Sequence, residues 1–279
     1  MPFESEKLAP DTWRINGSGC TAYLVCGDRE GAMIDTGDST EDIRAYAQSL
    51  CGKSVRMVMN THGHFDHTGG NGFFGVAFMG KKAAEIAKLP NGNQPIEEYP
   101  LDYPIVTVDD GFTLDLGGRA FEAIRMDGHS PDCIAWLDKR ERILFTGDNM
   151  NMVPMKYKCV DPQPSMLLYM QSVAKVLTRR EEYDWILVGH DRELISADQV
   201  NHTMMATLRA LDGELDTPQL PPMPKPGEER PGSHKGDRGP DFSKHDPADN
   251  GFIEYKGARI MFNKRYLKDT TRYDTVLGT

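Results

Sequence analysis

The stretch Thr61-His62-Gly63-His64-Phe65-Asp66-His67 constrains this chain more than any other. Three imidazoles and a carboxylate fall within six positions, directly after an apolar run (residues 54–60) that reads as a strand. Nitrogen and carboxylate oxygen are the donors that borderline-soft cations such as zinc prefer. The plain alternative is a solvated polar loop. A fold that uses the stretch as a metal cradle must deliver it at a strand end and bring further donors to it from elsewhere.

Such donors are present, each in the same setting. The alternating run Phe121-Glu122-Ala123-Ile124-Arg125-Met126 leads into Asp127-Gly128-His129-Ser130-Pro131. Arg142-Ile143-Leu144-Phe145 leads into Thr146-Gly147-Asp148, and Trp185-Ile186-Leu187-Val188 into Gly189-His190. Glycine lets the chain turn tightly at a strand end and lets backbone approach closely. In open α/β sheets, loops at strand ends are where ligands collect. Five of the eight histidines thus sit at predicted strand ends, which a random scatter would not produce.

In this order and spacing, His62-Gly-His64-Phe-Asp66-His67, His129, Asp148 and His190 resemble the motifs of the metallo-β-lactamase superfamily of metal-dependent hydrolases. Gly31-Ala32-Met33-Ile34-Asp35-Thr36-Gly37 resembles that family's first motif, and the likeness covers roughly residues 10–210. The resemblance implies an α/β fold, a four-layer αββα sandwich with metals at one edge of the sheets. It also implies two metal sites: His62, His64 and His129 for the first, Asp66, His67 and His190 for the second, with Asp148 bridging. Asp35 would orient a ligand from behind; a turn-forming Asp is the alternative.

The implied chemistry is hydrolysis. Two divalent cations ~3.5–4 Å apart share a water and lower its pKa to ~7, so a metal-bridging hydroxide can attack a carbonyl or phosphoryl centre. One metal meanwhile offsets the charge that develops on the substrate oxygen. Asp66 would be both a ligand and the catalytic group that orients the hydroxide and shuttles its proton. Zinc suits this donor set best, and iron and manganese accept the same donors. Asp132 stands where the family usually has Gly after the His-Ser/Thr-Pro step, which bears on the loop that carries His129.

Charge and composition narrow the class. Lys and Arg number 32 against 42 Asp and Glu, a net charge of −10, so a general nucleic-acid partner is not expected. The opening Met1-Pro2-Phe3-Glu4-Ser5-Glu6-Lys7 has no apolar signal region, and no run is long enough to cross a bilayer. Cys20, Cys26, Cys51, Cys133 and Cys159 are odd in number and lack CxxC spacing. They read as reduced thiols, and a cytoplasmic location follows.

Strands are expected around Trp13-Arg14-Ile15, over residues 21–25, 32–34, 54–60 and 76–79, and helices over 40–50, 81–88, 166–178 and 197–211. Residues 1–216 read as the metal-binding domain. Residues 217–250 hold eight prolines among Gly and charges and read as an extended loop, either a lid or a plain connector. Residues 251–279 read as a hairpin and tail that pack on the domain or on a homodimer partner. His202, His234 and His245 read as surface histidines, and Lys156-Tyr157-Lys158 as solvated surface that could alternatively meet a substrate anion. Met150, Met152, Val153, Pro154 and Met155 suggest an apolar, adaptable wall near the metals.

The expected function is a binuclear metal-dependent hydrolase acting on a small ester, thioester, lactone or amide, with no membrane partner. The oxygen-reducing branch of the resembled family carries Glu where His64 stands. Lactamase branches often replace the bridging Asp, and lactonases usually place Tyr shortly after it, where Asn149 stands. The competing reading is a mononuclear iron oxidoreductase of the sulfur-dioxygenase type on the same fold. Metal identity separates the two.

Overall fold

The structure is a computed structural model and describes residues 3–89, 100–151, 155–156, 164–191, 193–217 and 249–268. Its first sheet has seven strands in sequence order: β1 (Glu4–Ala9), β2 (Thr12–Ser18), β3 (Cys20–Cys26), β4 (Gly31–Ile34), β5 (Val55–Met59), β6 (Val76–Met79) and β7 (Ile105–Thr107). The first four pair as antiparallel neighbours, and β4 through β7 run parallel. Parallel strands need crossovers, supplied by α1 (Ile43–Cys51), the one-turn α2 (Phe65–Thr68) and α3 (Lys81–Ala87). Helix α1 starts three residues later than the apolar pattern suggests, because the Asp42 side chain caps it by accepting from Ala45 N at 2.9 Å.

The second sheet runs β14-β13-β11-β10-β9-β8. Its strands are β8 (Thr113–Asp115), β9 (Ala120–Arg125), β10 (Ile134–Asp138), β11 (Ile143–Gly147), β13 (Trp185–Val188) and β14 (Ile195–Ser196). A two-residue strand, β12 (Met155–Lys156), joins a small third sheet instead. Its partners are β15 (Asn250–Tyr255) and β16 (Ala258–Asn263), an antiparallel hairpin whose Lys256-Gly257 turn has positive φ at both residues, as a two-residue loop favours.

Period-2 alternation builds the layers. On β3, Tyr23 and Val25 face a core shared with Phe121, Trp136 and Phe145 of the second sheet. The alternate residues Ala22, Leu24 and Cys26 face outward, under Ile43 and Ala47 of α1 and Ala83 of α3. On β10, Ile134 and Trp136 point inward, while Ala135 and Leu137 meet α4 (Met166–Thr178) and α5 (Gln199–Leu211) on the far side. The result is helices, sheet, sheet, helices. The hairpin adds Ile253, Ile260 and Phe262 to the α4–α5 core.

Two buried hydrogen bonds tie the sheets near one edge: Trp136 Nε1 donates to Asn60 O at 3.1 Å, and Tyr23 Oη to Val188 O at 2.7 Å. At that edge β4, β5, β9, β11 and β13 all end, so the loops that follow them are neighbours. Among the described residues Cys20, Cys26, Cys51 and Cys133 form no disulfide, and Cys159 lies outside the described residues. Among the described residues no helix is long and apolar enough to cross a membrane.

Candidate metal centre

The turn after β5 delivers four donors. His62 and His64 precede α2, and its single turn winds Asp66 and His67 onto the same cluster. The loop after β9 brings His129, the end of β11 brings Asp148, and the residues after β13 bring His190. His64 Nδ1 lies 3.0 Å from His62 Nε2 and 3.0 Å from His129 Nε2. His190 Nε2 lies 3.4 Å from His67 Nε2, 3.4 Å from Asp66 Oδ2 and 3.2 Å from Asp148 Oδ2. Asp148 stands between these sets, with Oδ2 3.4 Å from His129 Nε2 and Oδ1 3.4 Å from His67 Nε2. Three donor groups result: His62, His64 and His129; His62, His67 and Asp148; Asp66, His67 and His190.

The donors fit divalent cations. Asp148 Oδ1 is buried without a hydrogen-bond partner, and an orphaned buried carboxylate oxygen is costly unless something cationic meets it. Three ring nitrogens also converge at 3.0 Å spacings where they cannot all be satisfied by one another. His62, His67, His129 and Asp148 are buried, whereas Asp66 and His190 are about a quarter to a third exposed, so the cluster opens on their side.

Asp35 lies behind the donors, 2% exposed and with a left-handed φ of 56°. Its Oδ1 accepts from Thr61 N at 2.8 Å, and its Oδ2 accepts from Thr61 Oγ1 at 2.7 Å and His67 Nδ1 at 2.8 Å. A carboxylate only accepts, so His67 carries its proton on Nδ1 and leaves Nε2 free for a cation. The Thr61 hydroxyl, having given its proton to Asp35, accepts from His62 Nδ1 at 3.1 Å and frees that Nε2 as well. One carboxylate therefore sets two tautomers. Asn60 Nδ2 and Thr36 Oγ1 both donate to the His67 carbonyl, at 3.0 and 3.2 Å, fixing the backbone there.

The charges follow the same plan. Burial holds His62 well below the usual imidazole range, reinforced by the neighbouring histidines. Burial opposes the charged forms of His67 and His190 too, but the surrounding negative groups outweigh it. His67 is held well above its usual value by Cys20, Asp148, Asp35 and Asp66; His190 rises to about 10 beside Asp148 and Asp66. Asp66 lies well below the carboxylate range because His67 and His190 overcome its burial, and Asp148 does so chiefly through His190. Without metal the Asp66 side of the cluster holds protons that a cation would replace.

Some supporting residues were not foreseen. Asn149 Oδ1 accepts from His129 N at 2.9 Å, its Nδ2 donates to Met126 O at 3.0 Å, and its carbonyl accepts from Tyr169 Oη at 2.5 Å. Its place next to Asp148 was the only available hint. Gly189 is required by close approach: a Cβ there would lie 2.3 Å from Asp148 Oδ1 and 2.6 Å from His67 Cε1. Met150 is a correction. It is 2% exposed and packs in the core with Met166, Tyr169 and Val173, so it lines no wall of the site. His202 is another: it is half-buried, its ring 6.1 Å from that of Tyr255. Residues 152–154, 157–158 and 218–248, with His234 and His245, lie outside the described residues.

A family model described as the metallo-β-lactamase superfamily matches residues 15–157, about half of the chain. Atrochrysone carboxyl ACP thioesterase of Aspergillus fumigatus is 28% identical over 136 residues, covering 47% of this chain and 30% of that protein. Acyl-coenzyme A thioesterase MBLAC2 of Bos taurus is 25% identical over 166 residues, covering 48% of this chain and 59% of that protein. The chain thus spans less than two thirds of either relative. A metallo-β-lactamase from Pontibacter korlensis superposes with a TM-score of 0.59 at 16% identity, over 74% of this chain and 99% of that one, a likeness of fold. With the fold, the converging donors and the family match agreeing, the chain belongs to the metallo-β-lactamase superfamily.

Proposed function

We propose that this protein is a metal-dependent hydrolase of acyl thioesters, of the acyl-coenzyme A or acyl-carrier type. The observation that carries the reading is the Asp148 carboxylate, buried between two histidine sets with one oxygen orphaned. His62, His64 and His129 would hold one divalent cation, Asp66, His67 and His190 a second, and Asp148 would face both. Zinc is the metal of choice for this set. Bound cations supply Lewis-acid polarisation of the thioester carbonyl and acidify water at neutral pH. The two relatives named as thioesterases support the choice of substrate class.

The chain's own residues do the rest. Asp35 and Thr61 hold the Nδ1 side of His67 and His62, so that the Nε2 atom of each is turned toward the cluster. Asn149 fixes the His129 backbone. Asp66 is the ionised carboxylate on the open side of the cluster, so it is placed to accept a proton from an attacking water and pass it to the leaving thiolate. No side-chain nucleophile is needed.

The test pairs elemental analysis with turnover of acyl-coenzyme A, p-nitrophenyl ester, lactone and chromogenic β-lactam substrates. About two zinc per chain and chelator-sensitive thioester cleavage are expected. Iron with oxygen uptake and no hydrolysis would replace this reading with the oxidoreductase one.

A further inference from the structure

The loop that carries His129 is fastened from two sides. Asn149 holds it on the side of the second sheet, and Tyr169 in turn holds Asn149. On the other side Asp132 does three things at once. Its backbone N donates to Asp127 Oδ1 at 2.7 Å, its Oδ2 accepts from Lys82 N in the first turn of α3 at 2.8 Å, and its Oδ1 pairs with Arg125 Nη2 at 2.6 Å. Arg125 Nε in turn donates to Asp127 Oδ2 at 2.8 Å. Arg125 and Asp132 also line a cleft of about 500 Å³, but there they neutralise each other.

Asp132 holds a left-handed φ of 52°, which costs a non-glycine residue energy that glycine does not spend. Glycine would suit the backbone better, so the carboxylate has to be worth the strain. What it reaches is α3, and α3 packs against Gly63, in the turn that carries the other two histidines of the same set. The Ala83 carbonyl lies 2.1 Å from where a Cβ on Gly63 would stand, directly between His62 and His64. The helix thus backs the His62–His64 turn through Ala83 and the His129 loop through Lys82 and Asp132. In the other set, His67 is held instead by Asp35, Asn60 and Thr36.

We propose that Asp132, with Arg125, is a positioning residue that locks α3 to the His129 loop and so sets the three-histidine metal site independently of the other. The proposal rests on the two-site reading above, and its test separates the two. Zinc affinity is measured by competition with a chromophoric chelator in single-site backgrounds, H190A for the three-histidine site and H129A for the other. D132G keeps the left-handed backbone and removes only the carboxylate.

The expected result is a loss of about 10–100-fold in zinc affinity in H190A, the scale for residues that orient ligands, and a change under about 2-fold in H129A. D132N, which keeps an acceptor for Lys82 N, should recover part of the loss. R125Q opens the clamp from its other end and should give the same site-selective loss if D132G folds poorly. Unchanged affinity in H190A, with only a lower melting temperature, would overturn the proposal. So would an equal loss in both backgrounds. A parent protein that binds no zinc would overturn the two-site reading itself.

Discussion

Asp35→Asn is the most informative single change at the metal centre. The carboxylate meets three short donors, Thr61 N, Thr61 Oγ1 and His67 Nδ1, at 2.7–2.8 Å. An amide offers one oxygen, so in either orientation an N–H is turned toward a donor. With the oxygen kept on Thr61 N, the amide nitrogen faces His67 Nδ1. His67 can then escape the clash only by moving its proton to Nε2 and accepting at Nδ1. That takes the Nε2 lone pair away from the cation. Hydrogen bonds to a charged group contribute about 1.5–3 kcal/mol each, and orienting residues behind metal ligands are worth about 10–100-fold in affinity, or roughly 1.4–2.7 kcal/mol. D35N should therefore weaken the Asp66–His67–His190 site by about that factor, with a smaller effect on His62 relayed through Thr61. Zinc competition titrations read the affinities, and ¹⁵N NMR of the imidazoles in the metal-free protein reads which ring nitrogen of His67 keeps its proton once the ring is neutral at high pH. Unaltered affinity at both sites, or a His67 that keeps its proton on Nδ1, would refute the role assigned to Asp35.

Other consequences can be measured directly. Gly189→Ala would drive a methyl into Asp148 and His67 and should cost about 1–3 kcal/mol of stability together with at least about tenfold in zinc affinity, read by thermal unfolding and chelator competition. Stripping metal should lower the melting temperature by about 5–10 °C relative to protein at a hundredfold excess over Kd, since that occupancy contributes about 2.7 kcal/mol; an unmoved melting curve would count against a folded-state site. Glu182 is held at about 2 by hydrogen bonding to Arg179 and then Lys139, below its ordinary 4.5. Its contribution is fully present above pH 4.5 and lost as pH falls through 2. Glu182→Gln, at a side chain about a third exposed, should cost about 1 kcal/mol or less at pH 7, with the two melting curves meeting below pH 2.

The convergence of these residues on one edge was legible because ligand-type residues at local spacing mark a single turn, and because short apolar runs ending in glycine announce strand ends. The helix over Met166–Thr178 was equally plain from its period. Other parts carry no such mark. Strand β10 is buried along its whole length, so Ile134-Ala135-Trp136-Leu137-Asp138 shows no alternation to separate it from a buried helix. Strand β7 is three residues long and half exposed. Met150 reads as an adaptable wall until the chain's path shows it turned into the core. Asp132 could be noticed as a departure from a family glycine, yet its partner Lys82 lies fifty residues away and no spacing rule connects them.

Each of the three donor groups draws two residues from the turn after β5 and one from a loop of the second sheet: His62 and His64 with His129, His62 and His67 with Asp148, Asp66 and His67 with His190. A cation held there would act as a rivet across the seam of the sandwich, so that letting go of metal and parting the sheets become the same event seen from two sides. The order of synthesis then matters. A growing chain owns two of the three donors of every group by residue 67 but completes the last only at His190, just beyond β13. A metal that needs a complete group would then be taken up late, and the early-emerging histidines would wait for it.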